Sequence, residues 1–217
     1  MAEQETDNKM NRTERLTDSW TRNAENWTRA VREGRIVSRA TGTDRAIEAA
    51  VRKVLDGRTR PRFLDIGCGE GWLVRRIAMA VPGCAAMGVD GEPKLIQAAR
   101  EADSTGATYA VVPYADLVAG RHKMPDPLDA IAFNYALFDG DTGVIALLAA
   151  ARALLAPDGA IVLQTVPPQD EEGWRVEDFA GFDEAEWAPM PWYARTHAAW
   201  RRVVDAAGLT IAETGEP

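Results

Sequence analysis

Two aspartates and a run of glycines carry the chemistry this sequence can do. Asp65 stands just before a glycine loop in Phe63-Leu64-Asp65-Ile66-Gly67-Cys68-Gly69-Glu70-Gly71-Trp72. Gly67 and Gly69 remove side chains where a backbone must turn sharply and lie against a ligand. A glycine loop between a strand and a helix is where a parallel sheet binds ligands, beyond its strand ends. Such loops also cradle phosphates, and short glycine patterns recur by chance. Here the dinucleotide pattern fails, because Trp72 occupies the place of its third glycine. A carboxylate at Asp65 repels a pyrophosphate and attracts an ammonium. Asp90 ends Met87-Gly88-Val89-Asp90, about 20 residues past the loop, where an acid accepts hydrogen bonds from ribose hydroxyls. An amine at one end and a ribose at the other describe a cationic nucleoside.

These residues need a scaffold, and the pattern around them predicts one. Residues 1–15 are polar and mixed in charge, a disordered tail by composition. Trp20, Ala24, Trp27 and Val31 form one stripe on a helix over about 17–33, which Gly34 ends. A second helix starts at Thr43 or Asp44, turns Ile47, Ala50, Val51 and Val54 inward, and closes at Gly57. Residues 16–57 are thus N-terminal helices expected to cover the site, and 58–217 the main domain. From Arg62, strands at 63–66, 84–89, 108–112, 128–133 and 160–166 alternate with helices at 72–80, 92–102 and 144–155, plus a weak turn at 115–119. This alternation predicts an α/β, doubly wound, mostly parallel sheet with helices on both faces. Over about 167–192 periodicity dissolves into Pro, Gly, acids and aromatics, a long irregular stretch expected to act as a lid. A last helix through Trp200 and Val203 ends at Gly208 and leads to a sixth strand at 209–212.

The segment Leu64-Asp65-Ile66-Gly67-Cys68-Gly69-Glu70-Gly71 resembles the first motif of class I S-adenosylmethionine-dependent methyltransferases, small-molecule type. The likeness in pattern extends over 62–212. It implies a Rossmann-like methyltransferase fold, with S-adenosyl-L-methionine as donor and S-adenosyl-L-homocysteine as product. By that resemblance Asp65 and the Gly67 backbone, with Cys68 and Gly69 in the same loop, contact the methionine end. Asp90 and Gly91 take the ribose, and Asp116 with the Leu117 backbone brackets the adenine. Asn134 and Tyr135 lie beside the sulfonium. An N-terminal helix covering the donor would bring Asn23, Trp27 and a basic residue such as Arg35 near it, an arginine pairing with the donor's carboxylate. Plainer roles stay open: Asp65 and Asp90 as loop caps, Asp116 as a helix cap, Cys68 as a small loop residue, and Trp20 and Trp27 as packing on the sheet.

Transfer from a sulfonium is an in-line displacement that needs no metal, and positioning alone can contribute about 7–11 kcal/mol. His122 and His197 are the only histidines, too few for a His-rich metal site. The resemblance to small-molecule enzymes makes Tyr193, Arg195 and His197 substrate contacts, with His197 and Tyr193 the candidates for a base. An exposed helix residue is the plain alternative for His197. Tyr135, Phe138, Trp174 and Trp192 complete the expected acceptor wall. With Phe179, Phe182 and Trp187 they suggest an apolar or aromatic metabolite as acceptor; the same rings could form a satellite core.

At 217 residues, 46% hydrophobic and 27% charged, the chain can bury one domain's core. A net charge of −8 offers no basic face for nucleic acid. After the fourth strand, Asn134-Tyr135-Ala136-Leu137 lacks the prolines by which amino-methylating nucleic-acid enzymes grip a base. RNA or protein methylation, non-catalytic donor binding and a nicotinamide dehydrogenase are the competing readings. Two cysteines, Cys68 and Cys84, make no disulfide framework. The start lacks a signal peptide's apolar stretch and no run could span a bilayer, so a cytoplasmic location with no membrane partner is expected. The family's seventh strand is missing after Ala212, and an open sheet edge predicts a homodimer.

Overall fold

The structure is a computed structural model and describes residues 10–179, 182 and 185–216. Strands β1 (Arg62–Ile66), β2 (Ala85–Asp90), β3 (Thr108–Val111), β4 (Leu128–Asn134) and β5 (Leu155–Gln164) form one parallel sheet in the order β3-β2-β1-β4-β5. The order reverses between β1 and β4, and such a switch opens a crevice at the strands' C-terminal ends.

Strand polarity explains the two-sided core. Phe63 and Leu64 point to opposite faces, and both are fully buried. On the Phe63 face pack α2 (Asp44–Leu55) and α3 (Trp72–Ala80), through Ile47, Val51, Leu73 and Ile77, with α4 (Pro93–Ala102) beside them. On the Leu64 face pack α6 (Asp141–Arg152) and α7 (His197–Ala206), through Leu147, Leu148 and Val203. The short α5 (Tyr114–Val118) follows β3.

Several expectations need correction. Helix α1 spans Arg12–Arg32, so it begins inside the segment expected to be a disordered tail. Asn11 and Glu14 form a reciprocal capping box there, which satisfies the first free N–H groups. The rest of that tail, 1–9, lies outside the described residues. Of the N-terminal helices α1 runs over the crevice, whereas α2 packs on the sheet and reaches the cavity through its first residue, Asp44. Leu155 opens β5 rather than ending α6.

The lid is not irregular throughout. Strands β6 (Gly173–Glu177) and β7 (Met190–Ala194) pair antiparallel as a separate ribbon. Pro191, which lacks an N–H, fits in a two-stranded ribbon because both of its strands are edges. The expected sixth strand does not form, since 209–216 contain no strand. Leu209 packs on the core beside α7, while Ile211 is left exposed, so that apolar spacing marks a helix exit and not a ladder.

Candidate active site

The crevice holds a cavity of about 660 Å³, roofed by α1 and the β6–β7 ribbon. Its floor is the turn after β1. Gly67, Gly69 and Gly71 all have positive φ, at 77°, 56° and 80°. A side chain on Gly67 would run into the Tyr114 hydroxyl and the Ala136 methyl. The loop is pinned to β2 by Gly67 and Cys68 N–H groups that donate to the Val89 carbonyl at 2.8 and 3.0 Å. The Cys68 thiol is turned beneath the loop, where a side chain on Gly88 would meet its sulfur at 2.8 Å. Burial pushes that thiol up, away from reactivity.

Asp65 shows why the strands are built as they are. Its register neighbours are Gly88 on β2 and Ala132 on β4, both small. The carboxyl is 2% exposed, lines the cavity, and its Oδ1 has no partner among the described residues. Burial, with the nearby Asp90 charge, pushes Asp65 up to about 8. An unpartnered, buried carboxyl facing a cavity is costly unless a ligand completes it.

Asp90 is held differently. Its oxygens accept the N–H groups of Gly69 at 3.0 Å and Glu92 at 2.9 Å. Burial raises its pKa, while the bonds from Glu92 and Gly69 pull the other way. Asp90 therefore ties the glycine loop to the start of α4 and still lines the cavity, as Gly91 does.

Of the remaining expected residues, Trp27, Asn134, Tyr135, Phe138 and Trp192 line the cavity, with Cys68 and Gly69. Asn134 Oδ1 is buried without a partner. Tyr135 sits at φ 51°, a left-handed turn that bends the chain away at the end of β4. Trp20 joins them, edge-on to Trp27 at 5.4 Å between ring centroids.

Eight expected residues do not line it, each for a visible reason. Arg35 follows Gly34, whose φ of 66° ends the helix, and pairs with Glu33. Arg39 takes the inward place: it lies on a π-helical turn (Arg39–Thr43), pairs with Asp44 at 2.9 Å and stacks 4.6 Å from the Trp72 ring centre. Asp116 is turned outward to Arg121, and Leu117 is buried in the core; Pro113, Tyr114 and Ala115 form the wall instead. Trp174 and Tyr193 stand opposite each other on the outer face of the ribbon, edge to face at 5.6 Å. Arg195 is buried but spent, with its guanidinium on Asp141 and on the carbonyls of Leu137, Tyr193 and Asp139. His197 is exposed at the start of α7. Asn23 also stays out of the cavity: its amide exchanges two 2.8 Å hydrogen bonds with the Ala188 backbone, latching α1 to the segment before β7.

Sequence reasoning missed Arg39, Asp139 and Glu177 in the lining. Only Arg39 had a local signal, its distance past Gly34; the others depend on which face of a turn or ribbon looks inward.

A doubly wound sheet, a glycine turn after β1 and acids at two adjacent strand ends define a class I, S-adenosylmethionine-dependent methyltransferase. The chain belongs to the methyltransferase-domain family, whose pattern matches residues 39–214. No curated protein matches it. Among solved structures it is similar to the CcbJ methyltransferase from Streptomyces caelestis, at 17% identity and TM-score 0.58, covering 77% of this chain and 80% of that one. It is also similar to CalS10, an amino pentose methyltransferase from Micromonospora echinaspora, at 18% identity and TM-score 0.56, covering 82% and 88%. The magnesium protoporphyrin IX methyltransferase from Synechocystis PCC 6803 shares the fold at 18% identity and TM-score 0.53, covering 79% and 71%. Among the described residues no helix is long and apolar enough to cross a membrane.

Proposed function

We propose that this enzyme moves a methyl group from S-adenosylmethionine to a small acceptor with an apolar or aromatic body. The observation that carries the reading is the unpartnered, buried Asp65 oxygen facing the cavity beside the glycine turn. A cationic ammonium is the partner that such a carboxyl lacks. Arg39, and not Arg35, is the basic group on hand for the donor's carboxylate. Asp90 would take the ribose hydroxyls with lone pairs its two N–H bonds leave free. Leu95 and Pro113 to Ala115 would flank the adenine.

When bound, the donor supplies an activated methyl on a sulfonium, ready for in-line displacement. The protein's part is to hold the acceptor on that line and keep water out. Asn134 and Tyr135 end β4 at the sheet's switch point, where the acceptor would approach. Helix α1 covers them with Trp20 and Trp27 and β7 with Trp192, while Phe138 after β4 and Phe182 between β6 and β7 complete the wall. That lining favours a small apolar molecule over a nucleic-acid strand, which would meet a chain of net charge −8.

Calorimetry with S-adenosylhomocysteine tests the donor half. The wild type should bind it, and Asp90→Ala should weaken binding by about 1.5–3 kcal/mol, the range for lost hydrogen bonds to a charged group. No binding to the wild type would overturn the reading. Transfer to tRNA or protein alone, in a panel that includes small metabolites, would overturn the acceptor class.

A further inference from the structure

We infer that the acceptor is an amine, bound as a cation against Asp139 and Glu177; this rests on the donor reading above. The argument begins with the charges that line the cavity. Asp65 and Asp90 belong to the donor half. Glu70 is ion-paired with Arg75 at 2.7 Å, and Asp44 with Arg39. Glu92 caps α4, accepts the Thr21 hydroxyl at 2.7 Å and donates its own N–H to Asp90, so it stands with the donor half. What remains among the described lining residues is Asp139 and Glu177.

Among the described residues both carboxylates accept hydrogen bonds from neutral groups and neither forms an ion pair, although the Arg195 charge acts on Asp139 through space. Asp139 accepts the Thr13 hydroxyl at 3.1 and 3.2 Å and the Gly140 N–H at 2.7 Å. Glu177 accepts the Phe179 N–H at 2.8 Å. Arg195 runs behind the Asp139 loop, but its side chain engages main-chain oxygens and Asp141 instead. Glu177 faces inward because it pairs directly with Met190 on β7, on the ribbon face that also carries Trp192. Both carboxylates are half-buried on the cavity wall and neither is held in an ion pair among the described residues, which leaves each open to a cationic ligand.

The rest of the wall fits the same ligand. Trp20 lies 6.1 Å from Phe138 and Trp27 6.4 Å from Phe182, and all four rings line the same cavity as the two acids. Ring faces attract cations, most strongly where water is excluded. Asn134 Oδ1, buried and unpartnered at the end of β4, offers an acceptor for an N–H. A carboxylate or phosphate acceptor would meet two like charges, and Arg39, the arginine among the described lining residues, is taken up by Asp44 and the donor's carboxylate. An alcohol would leave both acids without a counter-charge.

The chemistry balances without a further reagent. The ammonium loses one proton to water, and the freed nitrogen lone pair attacks the methyl. The N–C bond forms as the C–S bond breaks, and its electron pair returns to sulfur to give the neutral thioether. The product leaves as an N-methylated ammonium.

Three probes of matched shape test this on protein saturated with S-adenosylhomocysteine: phenethylamine, phenethyl alcohol and hydrocinnamate. The amine should bind about tenfold more tightly than the alcohol, and the carboxylate most weakly. Glu177→Gln and Asp139→Asn should each weaken amine binding about threefold or more while leaving the alcohol unchanged. Unchanged S-adenosylhomocysteine affinity in both variants shows that they fold. Failure of the wild type to bind S-adenosylhomocysteine would sink the donor reading alone. Donor-product binding with no amine preference, no amine binding, or amine affinity unmoved in both variants overturns the amine assignment.

Discussion

The donor and acceptor halves proposed for the cavity are built on different principles. Most of the proposed donor half is contiguous chain: β1, its glycine turn, β2 and the start of α4 run from Arg62 to Lys94 and are fixed by backbone hydrogen bonds, with Arg39 and Pro113 to Ala115 added on either side. The acceptor half is assembled from segments far apart in sequence, α1 and the β6–β7 ribbon, held by side chains such as Asn23 and by ring contacts. A site for an invariant ligand can be written into local backbone geometry. A site for a variable one is carried on elements that can change without disturbing the sheet.

That contrast predicts unequal damage. Gly67→Ala should be the most severe change, because it places a Cβ at φ 77° and drives it into Tyr114 and Ala136. The left-handed backbone costs about 1–2 kcal/mol and the overpacking a further 1–3 kcal/mol or so. Donor-product binding should be lost in calorimetry and the melting temperature should fall. Retained binding would show that the turn is not the donor's cradle.

Asp65→Asn comes next, and it is read through pH. The folded carboxyl titrates near 8, against an ordinary value of 3.8, so between those limits the folded protein holds a proton that the unfolded chain has released. Its contribution to stability is therefore present below about pH 4 and is lost as pH rises toward 8. The asparagine variant should flatten that slope and gain about 2 kcal/mol at pH 8 without ligand, measured by denaturant titration. A cationic donor favours the charged carboxylate, so wild-type binding should release a proton at pH 7, seen as buffer-dependent heat. Absence of that proton in the wild type would remove Asp65 from the ammonium site.

The same contrast explains what could be read from the sequence. Asp65, the glycines and Asp90 were legible because their spacing along one β-turn-α-β unit becomes their spacing in space. The sheet was legible for a similar reason, since each strand's apolar run marks burial on two faces. The acceptor half was not. Trp174 and Tyr193 miss the cavity by parity: neighbouring positions on each strand point to opposite sides, so Trp192 faces in while Tyr193 faces out. Arg35 misses it because Gly34 and the π-helical turn re-aim the chain and present Arg39. Arg195, expected as a substrate contact, is buried in support of the loop after β4 instead. Such outcomes depend on register and turn handedness between distant segments, which periodicity does not encode.

Asn23→Ala should sharpen the comparison with a smaller effect. It removes the paired bonds to Ala188, worth about 0.5–1.5 kcal/mol each, and loosens α1 against the segment before β7. Acceptor KM should rise more than donor affinity falls, because the sheet-borne half does not use that latch. Equal loss in both would mean that α1 serves donor and acceptor alike.

The smallest expected effect belongs to the two residues first taken as possible bases. His197 is exposed on α7, and Tyr193 lies on the outer ribbon face against Trp174. Neither lines the cavity, so neither can reach a proton there without the ribbon turning over. His197→Ala and Tyr193→Phe should leave kcat within about twofold of wild type, as surface changes of under 0.5 kcal/mol do, and should leave its pH profile unmoved. A loss of about a hundredfold or more in kcat, the scale of a missing general base, would mean that the ribbon rearranges when substrates bind. The acceptor half would then be a moving part and not a fixed wall.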